Sequence, residues 1–233
     1  MINHIWAILW KQLKDTLKNK TILIQFLLFP CLTVIMENAI SIDGMPEHFF
    51  ANLFAIMYVG MAPLTAMSAI IAEEKEKNTL RVLHMCNVNA FEYLLGNAIY
   101  IVFICMIGSL VIAFAGGYRG NDLLSFMLIM LVGHVISMLA GATIGVFSKN
   151  QMVATSLTVP SMMIFSFLPM LSMFNDSIGK VAKYFYSEQL YLLINDLNSI
   201  EIKLETITIL GVNICFILSC FIIAYRKIFV KQY

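Results

Sequence analysis

The sequence predicts an all-α, polytopic membrane protein with six transmembrane helices. Three observations carry that prediction. Charged residues make up only 12% of the 233 positions and hydrophobic ones 60%, whereas soluble domains carry about 25% and 45–50%. Six apolar runs along the chain each approach the roughly 20 residues that a helix needs to cross a hydrocarbon core. The Lys and Arg residues between those runs are also divided unevenly, as cytoplasmic and external segments are.

The elements follow in order. Residues 1–20 show helical spacing, with Ile2, Ile5, Trp6, Leu9, Leu13 and Leu17 on one face and Lys11, Lys14 and Lys18 on the other. Trp6 and Trp10, the two tryptophans of the chain, both lie here, which predicts an amphipathic helix lying in the membrane interface. The lysines between Lys11 and Lys20, with no small-residue cleavage site after them, argue against a signal peptide. The predicted spans are 21–40, 50–72, 91–116, 123–147, 152–174 and 207–225, a transmembrane domain of 21–226 followed by a short tail, 227–233. Pro30 falls inside the first span, where a kink is expected because neighbouring helices can re-satisfy the freed backbone group.

Segments 1–20, 73–90, 148–151 and the tail from 226 hold eleven of the fifteen Lys and Arg residues; 41–49, 117–122 and 175–206 hold four. Both termini are therefore expected in the cytoplasm, and the even number of crossings agrees. The outer segment 175–206 holds Tyr184, Phe185, Tyr186, Leu190, Tyr191, Leu192, Leu193 and Ile194, too apolar for a free loop. Either a pair of short re-entrant helices or an interfacial loop fits, with the tyrosines at headgroup level. Gly141 and Gly145 form a G-x-x-x-G that permits close helix approach, within the chain or between chains.

A net charge of +1 gives no general basic surface for nucleic acid. Cys31, Cys86, Cys105, Cys215 and Cys220 form no C-x-x-C pair, so neither a disulfide framework nor a metal site is indicated, and they read as small buried hydrophobes. The sixteen methionines suit adaptable helix packing or a pliable surface for an apolar substrate. Buried ionisable groups of the kind that mark ion relays are scarce: Glu37, Glu92 and His134 lie in or at the ends of spans.

The most informative stretch runs from Ile71 to Leu83. Six charges fall between residues 73 and 81, directly after an apolar span. Glu73 and Lys77 stand four apart in the favourable order. Asn78 or Thr79 can cap a short helix with Leu80, Val82 and Leu83 on its apolar side. The second span is thus expected to leave the membrane as a charged helix, turn, and lay a short amphipathic helix along the cytoplasmic surface.

That stretch resembles the ABC-2 type permeases, the membrane subunits of ATP-driven exporters, whose loop after the second span reads roughly E-x-E-K-G-T-L-E-x-L, then P-[VI]-S and L-L-G-K. Here Glu74-Lys75-Glu76-Lys77-Asn78-Thr79-Leu80-Arg81-Val82-Leu83 occupies the first part. Asn87-Val88-Asn89 and Leu94-Leu95-Gly96-Asn97 occupy the second. Asn78 stands for Gly, Arg81 for Glu, Asn87 for Pro and Asn97 for Lys. The turn around Gly145 to Ala154 and the outer segment are similar in position to the family's.

The resemblance implies six spans per subunit, two subunits per transporter (homo- or heterodimeric), and a separate ABC-type ATPase docked from the cytoplasm. The loop from about Glu73 to Asn89 becomes the coupling helix, with Glu73, Glu74, Glu76, Lys77, Asn78, Thr79, Leu80, Arg81 and Leu83 as the ATPase-coupling residues. Nothing in the chain resembles the G-x-x-x-x-G-K-[ST] phosphate loop, so ATP and Mg²⁺ are expected in the partner, with no catalytic residue, metal or cofactor in this chain. A hydrophobic or amphipathic substrate is implied, as for permeases associated with antimicrobial peptides and drug efflux, in a bacterial cell membrane.

Other readings remain at this stage. A secondary transporter or channel would show buried charge and two symmetric halves. An intramembrane protease would use the Glu73-Glu74 pair and His134, but Asn78 stands where the E-E-x-x-x-R pattern needs Arg. A permease-like sensor or immunity factor would have the same sequence features as an exporter.

Overall fold

The computed structural model describes residues 2–18, 20–40, 46–197 and 204–232. The expected loop 41–49 and outer segment 175–206 therefore lie partly outside the described residues. The described residues form helices and turns: α1 (Ile2–Lys18), α2 (Lys20–Ala39), α3 (Phe49–Glu76), α4 (Thr79–Met85), α5 (Ala90–Ala115), α6 (Gly120–Phe147), α7 (Gln151–Ser172), α8 (Asp176–Ala182), α9 (Tyr186–Asn195) and α10 (Leu204–Gln232). Helices α3, α5, α6, α7 and α10 are each long and apolar enough to cross a membrane, and α1 with α2, bent by 71°, supplies a sixth crossing if the pair counts as one. The chain is thus an all-α polytopic membrane protein.

Helix α3 is the central column. In its most apolar stretch 78% of residues are buried inside the protein, against 11% for α10. Small residues explain why it can be so enclosed: Ala51, Ala55, Gly60, Ala62, Ala66, Ser68 and Ala72 let neighbours approach its backbone. Helix α6 returns the favour with Gly133, Gly141 and Gly145. A Cβ on Gly141 would overlap the Leu64 carbonyl of α3, and one on Gly145 would stand 2.9 Å from Ile71 Cβ. The G-x-x-x-G is therefore used within the chain, against α3. Hydroxyls add cross-links, with Thr158 Oγ1 of α7 donating to Ser68 Oγ at 2.9 Å and Ser166 Oγ donating to the Met57 carbonyl at 3.2 Å.

Polar groups inside the bundle are used locally. His134, fully buried on α6, hydrogen-bonds Ser109 Oγ of α5 at 2.7 Å and meets the Tyr58 ring edge-on at 5.6 Å. Glu37 accepts the Ala51 backbone N–H at 2.7 Å and so occupies the N-terminus of α3. Pro30 sits inside α2 without ending it.

Four expectations need correction. The tyrosines of the outer segment do not all lie at headgroup level. Tyr186 is fully buried and its hydroxyl bonds Ser137 Oγ at 2.7 Å, ten residues, or about 15 Å, from the end of α6 at Phe147. Asn195, at the other end of α9, meets Asn52 near the start of α3 at 2.7 Å. Helices α8 and α9 thus form a hairpin that re-enters the bundle, and a tyrosine at its deep tip needs a hydrogen-bond partner there. On α1 the buried stripe is Ile8, Gln12 and Thr16, while Trp6, Trp10 and Leu17 face outward; the apolar face is shared between protein and membrane. Of the five cysteines only Cys105 is buried, since Cys31 and Cys215 lie on outward helix faces and Cys86 on the α4 turn. Helix α10 continues through Gln232 across the expected tail, because no Gly or Pro interrupts residues 226–232.

Gly141→Ala should therefore destabilise the bundle by about 1–3 kcal/mol through overpacking, a fall of about 2–10 °C in Tm in detergent. Gly211→Ala on α10, where a Cβ meets nothing within 4 Å, should leave Tm unchanged or slightly raised.

Candidate functional site

The charged stretch after the second span forms one connected structure at the α1 end of the bundle. Helix α3 continues past its apolar part to Glu76 and ends because Lys77 leaves helical geometry and Asn78 takes φ +56°. That left-handed conformation is the one Gly enters without penalty and Asn tolerates best among the other residues. The Asn78-for-Gly departure thus preserves the turn. Lys77 N–H donates to the Glu73 carbonyl at 2.9 Å and Asn78 N–H to that of Lys75 at 3.2 Å, closing the helix end. Thr79 Oγ1 then donates back to the Glu74 carbonyl at 3.0 Å, setting the start of α4.

Helix α4 ends by the same device. Asn87 takes φ +58°, and Val88 N–H reaches back to the Leu83 carbonyl at 3.1 Å, the long bond of a Schellman motif. The Asn87-for-Pro departure is thereby explained as well: this turn uses a left-handed residue, which Pro cannot be. Glu92 accepts the Asn89 N–H at 3.2 Å and starts α5.

The charges divide among different neighbours. Glu73 pairs with Lys77 on the same helix face, and that carboxylate holds the Lys77 ammonium above the ordinary lysine range. Glu74 turns inward and is 5% exposed. It accepts Lys11 Nζ of α1 at 2.5 Å and Gln12 Nε2 at 3.2 Å, with the Tyr93 hydroxyl of α5 beside it. Lys75 donates to the Val146 and Ser148 carbonyls at 2.6 and 2.5 Å, a cation on the C-terminus of α6. Glu76 accepts the Gln151 N–H at 2.8 Å, an anion on the N-terminus of α7. Nearby, His4 of α1 bonds Glu92 at 2.9 Å. The last turn of α3 therefore fastens α1, α6 and α7 together.

Of the predicted coupling residues, Glu74, Leu80 and Leu83 pack inward, Thr79 closes the turn, and Glu73, Glu76, Lys77 and Asn78 border the open surface. The side chain of Arg81 lies outside the described residues. Val82, expected on one apolar side with Leu80 and Leu83, is instead 56% exposed, and Met85 is 69% exposed three residues on. The sequence reading missed Met85, Lys75, Lys11 and Gln12. No sequence signal marked Gln12, because the apolar face read from the spacing, 2, 5, 6, 9, 13 and 17, is not the buried stripe of Ile8, Gln12 and Thr16.

The pair needed for carboxylate chemistry is not assembled. Glu73 and Glu74 engage different lysines, and His134 lies with Ser109 and Tyr58.

In comparison with known proteins, residues 20–226 match the family described as ABC-2 family transporter protein. No curated protein matches the chain.

Lys11→Ala should cost about 1–3 kcal/mol, because it strands the Glu74 carboxylate in a buried layer. The double variant Lys11→Ala/Glu74→Gln should recover most of the loss. Thermal unfolding of the four proteins of this cycle in detergent measures the coupling, and additive losses would deny it.

Proposed function

Since the chain belongs to the ABC-2 transporter family, a family of membrane permeases that work with a separate ABC-type ATPase, we propose that it is the membrane permease of an ATP-driven exporter, with α4 as its ATPase-docking element. The observation that carries this reading is the outward surface of α4. Val82 and Met85, three residues apart on α4, are exposed apolar side chains, and the exposed Glu76, Lys77 and Asn78 lie at the turn that leads into α4. An apolar centre with a charged rim is the pattern of a protein-docking surface. It sits one turn beyond the residues that fasten α1, α6 and α7, so a displacement imposed on α4 acts on several helices at once.

ATP and Mg²⁺ are bound by the partner in this reading, and hydrolysis there moves α4. The charged end faces the cytoplasm, consistent with the bias of Lys and Arg toward it, and both chain ends lie on that side. The path is completed by a second permease subunit. Helix α7 supports this, because its outward face mixes Met152, Met163 and Pro160 with the hydroxyls of Thr155 and Ser156. Those hydroxyls are held by the carbonyls of their own helix at 2.9 and 3.0 Å, so the face is tolerable beside lipid and beside a substrate. A hydrophobic or amphipathic cargo suits it.

Co-purification with the ATPase subunit in mild detergent tests the docking. Val82→Asp/Met85→Asp should lower the recovered ATPase at least tenfold while the permease keeps its elution volume and Tm. Unchanged recovery, or transport by a preparation free of any ATPase, would overturn the reading. An impermeant maleimide should modify Cys86, which is exposed on the α4 turn, in inverted vesicles and spare it in intact cells; the reverse pattern would invert the topology.

A further inference from the structure

The bend between α1 and α2 leaves a long apolar groove of about 480 Å³, closed on its far side by α5. Its floor is made by the buried Phe26 and Pro30 of α2 and Gly108 of α5. Leu27 and Val34 form one wall, Ile107 and Val111 the other, and Leu13 and Leu17 of α1 close the end at the bend. The one hydroxyl among the lining groups, that of Thr16, is already engaged by Tyr100. The groove therefore offers almost entirely dispersion contacts.

Size decides what fits. Along α2 the lining runs from Leu23 to Ile35, thirteen residues spanning about 18 Å, close to the ~15 Å depth of one leaflet. With a volume of about 480 Å³ spread over that length, the groove is narrow and takes a slender hydrocarbon chain along its floor.

The end of the groove names the rest of the occupant. One position round α1 from Leu13 and Leu17 stand Lys14 and Lys18, both exposed. Lys14 Nζ lies over the Trp10 ring at 5.3 Å from its centroid, and Trp6 and Trp10 are 64% and 49% exposed on the same outward side, as residues at a headgroup layer are. Asp15, the acidic residue of α1, is exposed between them, so the pair of lysines leaves this turn with a net positive charge. The geometry points to a resident anionic phospholipid, with one acyl chain lying in the α1–α2–α5 groove and its phosphate on Lys14 and Lys18. It wedges the corner between α1 and α2, so the hold of α1 on Glu74 depends on the lipid around it. This inference rests on the membrane character of the chain and needs neither the ATPase nor the direction of transport.

Phosphatidylglycerol and phosphatidylcholine, each carrying a diazirine on one acyl chain, provide the test. The full chain in mild detergent is irradiated with either lipid, and the adducts are mapped by mass spectrometry. Phosphatidylglycerol adducts should concentrate on α2 and α5 residues of the groove, about tenfold above phosphatidylcholine. Lys14→Ala/Lys18→Ala should bring the two lipids level. Val34→Trp/Ile107→Trp should remove the groove adducts, whereas Val212→Trp on the exposed face of α10 should leave them. Adducts spread evenly over α10 and the groove, equal labelling by the two lipids in the unaltered chain, or adducts that survive the filled groove would each overturn the proposal. A chain that binds the lipid but recovers no ATPase would refute the transport reading alone.

Discussion

Glu74 is a carboxylate taken out of water at the point where a membrane helix emerges. Burying a charge costs several kcal/mol unless a partner of good geometry is present, and here Lys11 and Gln12 of α1 supply it. The pairing has consequences on both sides. Helix α1 cannot lift from the bundle without stranding the carboxylate, and α3 cannot turn about its axis without breaking the pair. One residue on, Lys75 and Glu76 fix the same turn of α3 to the ends of α6 and α7. A run of alternating charge that looks like a solvated helix face is therefore a joint between four helices. Helix α4 grows out of that joint.

The rest of α3 makes the joint useful. Small residues along α3 and the glycines of α6 bring the two backbones close enough that a single added methyl collides. Close-packed helices move as one body, because interiors at crystal-like density have few voids to absorb a displacement. The α8–α9 hairpin is included, through Tyr186 on Ser137 at its tip and Asn195 on Asn52 at its far end. By contrast α10 and the outer face of α7 have little protein against them. The molecule is thus stiff from α4 to the re-entrant hairpin and open along one flank, an arrangement suited to a subunit driven from one end and completed by a neighbour.

Much of this was legible in the sequence because lipid imposes long-range regularity. Hydropathy placed the long helices to within a few residues, the C-terminal end of α10 excepted, and the charged run marked where α3 leaves the membrane. What escaped was the partner of each charge. Spacing shows that Glu73 and Lys77 share a face, but no spacing rule connects Glu74 with Lys11, sixty-three residues away, or Lys75 with the end of α6. The split of the α1 face was hidden for a similar reason. Trp6, Leu13 and Ile8 are all apolar, and a membrane-side residue cannot be told from a protein-side one by hydrophobicity when both surroundings are apolar. The turns were half legible: Asn78 and Asn87 are residue types that favour left-handed positions, yet that both of them end helices required the backbone.

The central claim is that the Glu74 pairing transmits work between α4 and the membrane helices. Reconstituted with its ATPase, the permease should show cargo-stimulated ATP hydrolysis that Lys11→Glu and Glu74→Lys each abolish, although the ATPase still co-purifies. The charge-swapped pair Lys11→Glu/Glu74→Lys should regain a substantial part of the stimulation. Undiminished stimulation in either single variant, with the variant folded and the complex intact, would contradict the account.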